Sequence, residues 1–284
     1  MKALFCTDGS QISYGAIVNF SQWFKNYTAD ILTVADWTCL SDVVLSEVSS
    51  ISSKCSNNAN SILDYSQHFF YENNINFGRK IKSCGSAVDV ILSNEKDEEY
   101  EYLIMGSNGK KGLQKWLGSV SQEVASFSKS SVYISKSSNY SNKVVFALDD
   151  SLISSRRFIN TLKNMNLEGK DIHILTVYQT PEYLFLEGNM DSNWVVDIDE
   201  KQKREGLMLL SQYEEIFNDF GYDNLHKSVL SGNNAEAIIK YCDENKADLV
   251  VCGMRTRNAI SKILPGSVSR RILENVAADV LIMK

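Results

Sequence analysis

The chain has 284 residues, 44% hydrophobic and 23% charged, the composition of a globular protein of two domains at roughly 150 residues each. Its formal net charge of -6 speaks against a general nucleic-acid binder, which needs clustered positive charge for the phosphate backbone. No run reaches the about 18 apolar residues of a membrane span, and the opening MKALFCTDGS has neither an apolar h-region nor a small-residue cleavage site, so no signal peptide is expected.

The first predicted strand, Lys2–Cys6, runs into the turn Thr7-Asp8-Gly9-Ser10. Ser10 is the predicted N-cap of a helix whose apolar face carries Ile12, Ala16, Ile17, Phe20, Trp23 and Phe24. Further strands are predicted at Asp30–Val34, Asn76–Ser83, Glu101–Met105 and Ser131–Ser135. These short apolar runs do not alternate strictly, as expected where a parallel sheet is covered on both faces. The acidic run Glu95–Glu101 reads as a solvated loop. Val120, Val124 and Phe127 give the core face of the last helix of this half.

The polar stretch Lys136–Asn142 makes a linker, dividing the chain into residues 1–138 and 142–284. The second part repeats the first. Ala3–Ser10 aligns with Val144–Ser151, Ile31–Val34 with Ile174–Val177, Gly85–Ile91 with Gly232–Ile238, Gly118–Ser121 with Gly266–Ser269, and Ser131–Ile134 with Asp279–Ile282. Matches in the same order across both halves mark a domain-sized duplication. Ser151 is then the second N-cap. Phe158, Ile159, Leu162 and Met165 form one helical face, and Val268, Ile272 and Val276 another. Leu207, Leu210, Glu214 and Phe217 mark a longer, partly apolar helix. The apolar segment in Pro181–Asn193 is read as packed under its own loop.

Alternating strands and helices imply an open parallel sheet with helices on both faces. The expected order in each half is 3-2-1-4-5, with the reversal between strands 1 and 4. Ligands of such sheets bind beyond the C-terminal ends of strands at that reversal. Asp8 follows strand 1 and Gly106 follows strand 4; Asp149 and Gly253 are their counterparts.

The loop Gly106–Ser119, GSNGKKGLQKWLGS, and its near copy Gly253–Ser267, GMRTRNAISKILPGS, contain no Asp or Glu. Gly106 and Gly109 can adopt positive φ and admit a phosphate close to the backbone. Gly118 and Ser119 stand at the start of a helix, where unpaired N–H groups and the macrodipole favour an anion. Lys110, Lys111 and Lys115 add charge, as do Arg255, Arg257, Lys262, Arg270 and Arg271 in the second half. Asp8 and Asp149 could hold a divalent metal against phosphates or hydrogen-bond a base or ribose; the sequence does not choose.

The six cysteines show no C-x-x-C spacing. Cys6, Cys84 and Cys252 lie in or beside apolar strands as reduced, buried hydrophobes, which points to the cytosol. The histidines are His68, His173 and His226. They suggest no cluster for acid–base chemistry, and no Cys/His constellation suggests a nucleophile or a zinc site.

The repeated loops after strand 4, with an Asp-Gly-Ser turn after strand 1, resemble the universal stress protein family over almost the whole chain. The ATP-binding members carry Gly-x2-Gly-x9-Gly-Ser/Thr. The first half has Gly106, Gly109 and, after eight residues, Gly118-Ser119, one residue short. The second has Gly253, Thr256 in place of glycine and, after nine residues, Gly266-Ser267, with Pro265 stiffening the approach. The resemblance implies two tandem Rossmann-like domains of the adenine nucleotide alpha hydrolase-like type. It implies that Asp8 and Asp149 lie near the nucleotide, that Val34 and Val177 contact adenine through their backbone, and that Ser119, Ser121, Ser267 and Ser269 face phosphate. Gly106, Gly109, Gly118, Gly253, Arg255 and Gly266 complete the expected nucleotide contacts, with Mg2+ at Asp8 and Asp149. It also implies association through the last strands, as an intrachain pseudo-dimer of the two halves or as a homodimer.

Three functions follow. One is a cytoplasmic stress-response or signalling protein that binds ATP, ADP or AMP and acts on a protein partner, with turnover far below the roughly 10 per second of a typical enzyme. Another is an interaction module with degenerate sites. The third is an ATP-using enzyme of a related fold. Such enzymes carry a Ser-Gly-Gly-x-Asp-Ser loop, or His-x-Gly-His and Lys-Met-Ser-Lys motifs; this chain has Thr7-Asp8-Gly9-Ser10 and Leu148-Asp149-Asp150-Ser151 instead.

Overall fold

A computed structural model describes residues 1–36, 51–108, 117–136, 142–153, 155–179, 192–254 and 266–284, apart from the side chains of residues 51–57 and 192–195. In the first half the elements are β1 (Lys2–Cys6), α1 (Gln11–Trp23), β2 (Thr28–Ala35), α2 (Ile51–Glu72), β3 (Phe77–Cys84), α3 (Ala87–Asp97), β4 (Tyr102–Gly106), α4 (Ser119–Phe127) and β5 (Ser131–Ser135). The second half repeats them as β6 (Lys143–Ala147), α5 (Arg156–Asn164), β7 (Asp171–Tyr178), α6 (Ser192–Asp219), β8 (Leu225–Ser231), α7 (Asn234–Glu244), β9 (Leu249–Gly253), α8 (Ser267–Asn275) and β10 (Asp279–Met283).

All the strands join one sheet, in the order β3-β2-β1-β4-β5-β10-β9-β6-β7-β8. Each half therefore has the expected 3-2-1-4-5 order, and within each half every pairing is parallel. The halves meet through the antiparallel pair β5–β10, in which Ile134 faces Val280 and Val132 faces Ile282. The two halves thus form an intrachain pseudo-dimer through their last strands.

Side chains alternate across a strand, so neighbouring core residues go to opposite faces. Phe5, Phe146 and Tyr133 join the layer of α1, α2, α5 and α6 with Phe20, Trp23, Phe70, Phe158 and Phe217. Leu4, Val145 and Ile134 join the layer of α3, α4, α7 and α8 with Ile91, Val124, Ile238 and Ile272. Phe20 stacks on Phe24 at 4.3 Å and meets Tyr133 edge-on at 5.3 Å. Burying one such ring is worth about 1.5–3 kcal/mol. The expected double burial holds for the central strands, but β3 and β8 are edge strands and expose much of their length.

Both halves clamp the seam in the same way. Lys136 donates from Nζ to the carbonyls of Leu273 and Val276 at the end of α8. Lys284 donates from Nζ to Ser128 O at the end of α4, at 2.6 Å. An ammonium complements the negative end of a helix dipole. Burial outweighs nearby carboxylates and pulls both lysines down to about 8. Beside Lys136 lies the buried carboxylate of Asp279. It accepts from Asn19 Nδ2 (3.0 Å), Tyr133 OH (2.7 Å), Ser135 Oγ (3.2 Å) and Lys136 N (2.7 Å).

Several local expectations change. Lys136, read as the start of a polar linker, is an anchor; residues 137–141 lie outside the described residues. Phe127 is 47% exposed, as is Leu207, because each lies on the outer side of its helix. Cys84 is exposed at the end of an edge strand, whereas Cys6, Cys242 and Cys252 are buried. Burial raises all three thiols, Cys242 and Cys252 to about 12. Glu95–Asp97 close α3 and are no solvated loop. Glu95 is buried, because its Oε1 accepts from Ser128 Oγ (2.8 Å), Lys129 N (2.7 Å) and Ser130 N. The segment Pro181–Asn193 lies almost wholly outside the described residues. Among the described residues no helix is long and apolar enough to cross a membrane.

Candidate functional site

The crevice of the first half is built where the order reverses, at the C-terminal ends of β1 and β4. The turn after β1 is tied down on every side. Thr7 N donates to Leu32 O at 2.9 Å, and Thr33 Oγ1 donates to Thr7 O at 2.6 Å. Thr7 Oγ1 lies 2.7 Å from Ser13 Oγ and accepts from Gly9 N at 3.0 Å. Gly9 takes φ 77°, a conformation that glycine adopts without steric cost. Asp8 Oδ1 accepts from Ser10 N at 3.0 Å, a local turn that fixes the carboxylate. Ser10 caps α1 as expected, accepting from Ser13 N at 3.3 Å.

Gly106 lets α1 pack directly on β4. A Cβ there would lie 2.8 Å from Ile12 Cγ2 and 3.1 Å from both Ile12 C and Ser13 N. Gly106 is therefore required by close approach, not by the positive φ expected from sequence, which occurs at Gly9 instead. The loop after β4 leaves the sheet with Ser107 N on Ser135 O at 2.8 Å and returns with Gly118 N on Ser107 O at 2.7 Å. Gly118 is the N-cap of α4 and Ser119 its exposed first residue. Val34, near the end of β2, is half-buried beside this edge. Gly109, Lys110, Lys111 and Lys115 lie outside the described residues.

Ser121 sits differently from Ser119. It is buried, and its hydroxyl donates to Gly106 O at 2.8 Å, with Ser107 O at 3.2 Å. Its proton is thus committed to joining β4 to α4. Ser269 is likewise buried, but its hydroxyl donates to Gly266 O at 3.1 Å, within the start of its own helix.

The second crevice has the same parts with different contents. Leu148 and Asp150 stand where Thr7 and Gly9 stand in the first half. Ser151 does not cap a helix; its N and Oγ donate to Asp149 Oδ1 at 3.0 and 2.5 Å. Helix α5 starts only at Arg156, with Ser155 as N-cap. Leu152 instead fills the space over Gly253, where a Cβ would meet its side chain at 2.8 Å. Asp149 O accepts from Tyr213 OH at 2.6 Å. Burial raises the Tyr213 phenol, and the charges of Asp149 and Asp150 add to it. Gly266 caps α8 and Ser267 is exposed; Val177 is half-buried like Val34. Arg270 and Arg271 are turned to Glu274 and Glu236, each at 2.8 Å. Arg255, Thr256, Arg257, Lys262 and Pro265 lie outside the described residues.

One constellation is invisible in the sequence pattern. His173 and His226, 53 residues apart in sequence, are register partners on β7 and β8 and converge on Asp171. Two of the three histidines thus come together with a carboxylate, a grouping the sequence reading did not anticipate. The signal that would have found it is the aligned pairing of β7 with β8, which puts residues 173 and 226 side by side.

The two halves of the one sheet, each in parallel 3-2-1-4-5 order with helices on both faces, define tandem Rossmann-like domains. The chain belongs to the universal stress protein family, which matches residues 1–136 and again 141–284. A universal stress protein of Methanocaldococcus jannaschii is 29% identical over 149 residues, covering 51% of this chain and 84% of that protein. One from Synechocystis is 24% identical over 187 residues, 64% of this chain and 58% of that protein. The crystal structure of a universal stress protein from Archaeoglobus fulgidus shares the fold over 100% of this chain and 98% of its own, at a TM-score of 0.69 and 21% identity.

Proposed function

We propose that this universal stress protein binds an adenine nucleotide, ATP or its ADP or AMP products, in the crevice of its first half. The phosphates lie against the backbone N–H groups of the first turn of α4, from Ser119 onward, and the base lies beside Val34 and Asp8. The observation that carries this reading is the convergence of the two turns at the reversal. The first turn of α1 touches Gly106, while Gly118 closes on Ser107. That brings a fixed carboxylate and an uncapped helix start to one edge, a geometry suited to a phosphorylated ligand.

The donor set of the first half also fits a magnesium ion carried in on the phosphates. Mg2+ takes one or two carboxylates and keeps phosphate and water oxygens as its other ligands, and Asp8 supplies one carboxylate. The second half, residues 142–284, is the weaker site. Asp150 puts a second negative charge at its mouth, and Leu152 occupies the position of the α1 turn. Its loop still carries Gly253, Gly266 and Ser267, and Asp149 is placed as Asp8 is. Binding rather than turnover is the function, with at most slow hydrolysis. The protein acts in the cytoplasm as a nucleotide-binding stress-response protein whose loops carry the bound state to a partner.

The test is to denature the purified chain with acid and count released nucleotide, then to titrate Mg-ATP into the wild type, Asp8→Ala and Asp149→Ala. Asp8→Ala is expected to weaken binding at least about tenfold, equivalent to about 1.4 kcal/mol, with Asp149→Ala close to wild type. No released nucleotide, together with no binding of millimolar Mg-ATP, would discard the reading in favour of an interaction module.

A further inference from the structure

We propose that Asp171, His173 and His226 form a binding site for a zinc-class divalent cation at the N-terminal ends of β7 and β8. The site lies at the end of the sheet opposite the crevice, about 20 Å away along β7 at roughly 3.3 Å per residue, and does not depend on the nucleotide reading.

The comparison between the halves gives the reason to look there. Ile31 pairs with Lys80 in the first half, and Ile174 with Lys227 in the second. Asp30 and Arg79 therefore occupy the places of His173 and His226. In the first half that place is filled by an ion pair. Arg79 donates from Nε to Asp30 Oδ2 and from its backbone N to Asp30 Oδ1, both at 3.0 Å, and Tyr100 OH adds a 2.7 Å bond to Oδ2. In the second half two imidazoles replace the carboxylate and the guanidinium. Stacked at 4.6 Å and 28°, they cannot neutralise each other.

Their Nε2 atoms lie close to one carboxylate oxygen instead. Asp171 Oδ1 lies 3.1 Å from His173 Nε2 and 3.3 Å from His226 Nε2. All three ligand atoms fall within 4.8 Å of one another. Zinc bonds of 2.0–2.1 Å arranged tetrahedrally put neighbouring ligand atoms about 3.3 Å apart, and the two carboxylate–imidazole spacings match edges of such a site. His173 is 5% exposed, and its Nε2 makes no aligned hydrogen bond among the described residues. The Asp171 oxygen is near enough for an ion pair but stands off the N–H direction.

The surroundings orient the ligands. Lys143 Nζ holds the other oxygen, Asp171 Oδ2, at 3.1 Å, which leaves Oδ1 for the imidazoles. His173 Nδ1 lies 2.8 Å from Tyr241 OH, whose oxygen accepts from Ser228 Oγ at 3.1 Å. With Nδ1–H donating to the Tyr241 oxygen, the ring is fixed in the tautomer that leaves the Nε2 lone pair for a metal. The His226 side chain is 60% exposed, which gives an ion a way in and leaves room for water as a fourth ligand. Two imidazoles and one carboxylate suit zinc, cobalt, nickel or copper(II) rather than magnesium or calcium.

The experiment uses the full chain, freed of metal with a chelator and kept without nucleotide. Zn2+ is titrated by calorimetry, and Co2+ is added in parallel to read its visible spectrum. The wild type is expected to take up about one zinc per chain. His226→Ala, an exposed substitution, is expected to lower affinity at least tenfold. Tyr241→Phe, which keeps the ring and removes the outer hydrogen bond, is expected to lower it about tenfold. His68→Ala, at an unrelated surface histidine, is expected to bind as the wild type does. The cobalt form should show ligand-field bands without a thiolate charge-transfer band. Failure of the wild type to bind zinc, unchanged binding by His226→Ala, or a thiolate signature in the cobalt spectrum would each overturn the proposal.

Discussion

Replacing Gly106 and Gly253 by alanine, one at a time, separates the two crevices. Each glycine ends the fourth strand of its half, and each added Cβ meets a neighbour at 2.8 Å. At Gly106 the next contacts, both at 3.1 Å, are backbone atoms of Ile12 and Ser13. That backbone is held by Ser10 and Thr7, so relief requires moving the first turn of α1. Overpacking of this kind costs about 1–3 kcal/mol. Alanine returns about 0.4–1 kcal/mol by restricting the unfolded chain, leaving a mid-range net loss of about 1.3 kcal/mol. At Gly253 every close contact is an atom of the Leu152 side chain, which can change rotamer, so the same substitution should be neutral within about 1 kcal/mol. Urea unfolding followed by tryptophan fluorescence reads the difference. Mg-ATP binding reads its consequence, because a displaced α1 turn carries Asp8 with it. Gly106→Ala as stable as the wild type, or Gly253→Ala the more damaging of the two, would refute the account of how the first crevice is packed.

Other outcomes follow from the same contacts. Asp279→Ala removes an acceptor shared by four donors at the seam and should cost about 3 kcal/mol, since hydrogen bonds to a charged group are worth about 1.5–3 kcal/mol; an unfolding midpoint equal to wild type would contradict this. Burial alone would raise the Asp30 carboxyl, but hydrogen bonds from Tyr100 and Arg79 and the charge of Lys2 outweigh it and hold it below its ordinary 3.8. Its stabilisation is therefore present above the unfolded value and lost as pH falls through the folded one. The stability gap between wild type and Asp30→Asn should shrink between about pH 5 and about pH 3, and a gap independent of pH would show that the carboxylate charge contributes nothing. Steady-state ATP hydrolysis should stay far below about 10 per second, and a faster rate abolished by Asp8→Ala would make the protein an enzyme.

The sheet was legible because it rests on redundant signals. Short apolar runs, right-handed crossovers and a duplicated order each point to 3-2-1-4-5, and the termini of β1 and β5 match the sequence reading to the residue. Local polar contacts carried no such redundancy. Ser151 looked like Ser10, yet Asp149 captured its hydroxyl and the helix began later, at Arg156. Ser121 looked like a phosphate ligand because the motif places it near one, but a buried hydroxyl takes the nearest carbonyl, here Gly106 O. Glu95 sat in an acidic run and read as solvated. Its burial depends on three donors from residues 128–130, which no local pattern connects to it.

The duplicated halves have kept what the sheet demands and changed what it leaves open. The lysine at the end of each fifth strand holds the last helix of the other half, a reciprocal clamp on the β5–β10 seam. The ends of the strands are under no such constraint. At the crevice the first half keeps Gly9, Ser10 and a long α1, while the second substitutes Asp150 and Leu152 and shortens the helix. At the opposite end the first half fills the β2–β3 position with an Asp30–Arg79 pair, while the second places His173 and His226 there. Chemistry at either end of one half can diverge without disturbing β5–β10, because the strands between are buried on both faces and fix the register. The physical consequence is one sheet with unlike ends, the proposed nucleotide crevice lying at the C-terminal edge of the first half and the proposed cation site at the N-terminal edge of the second.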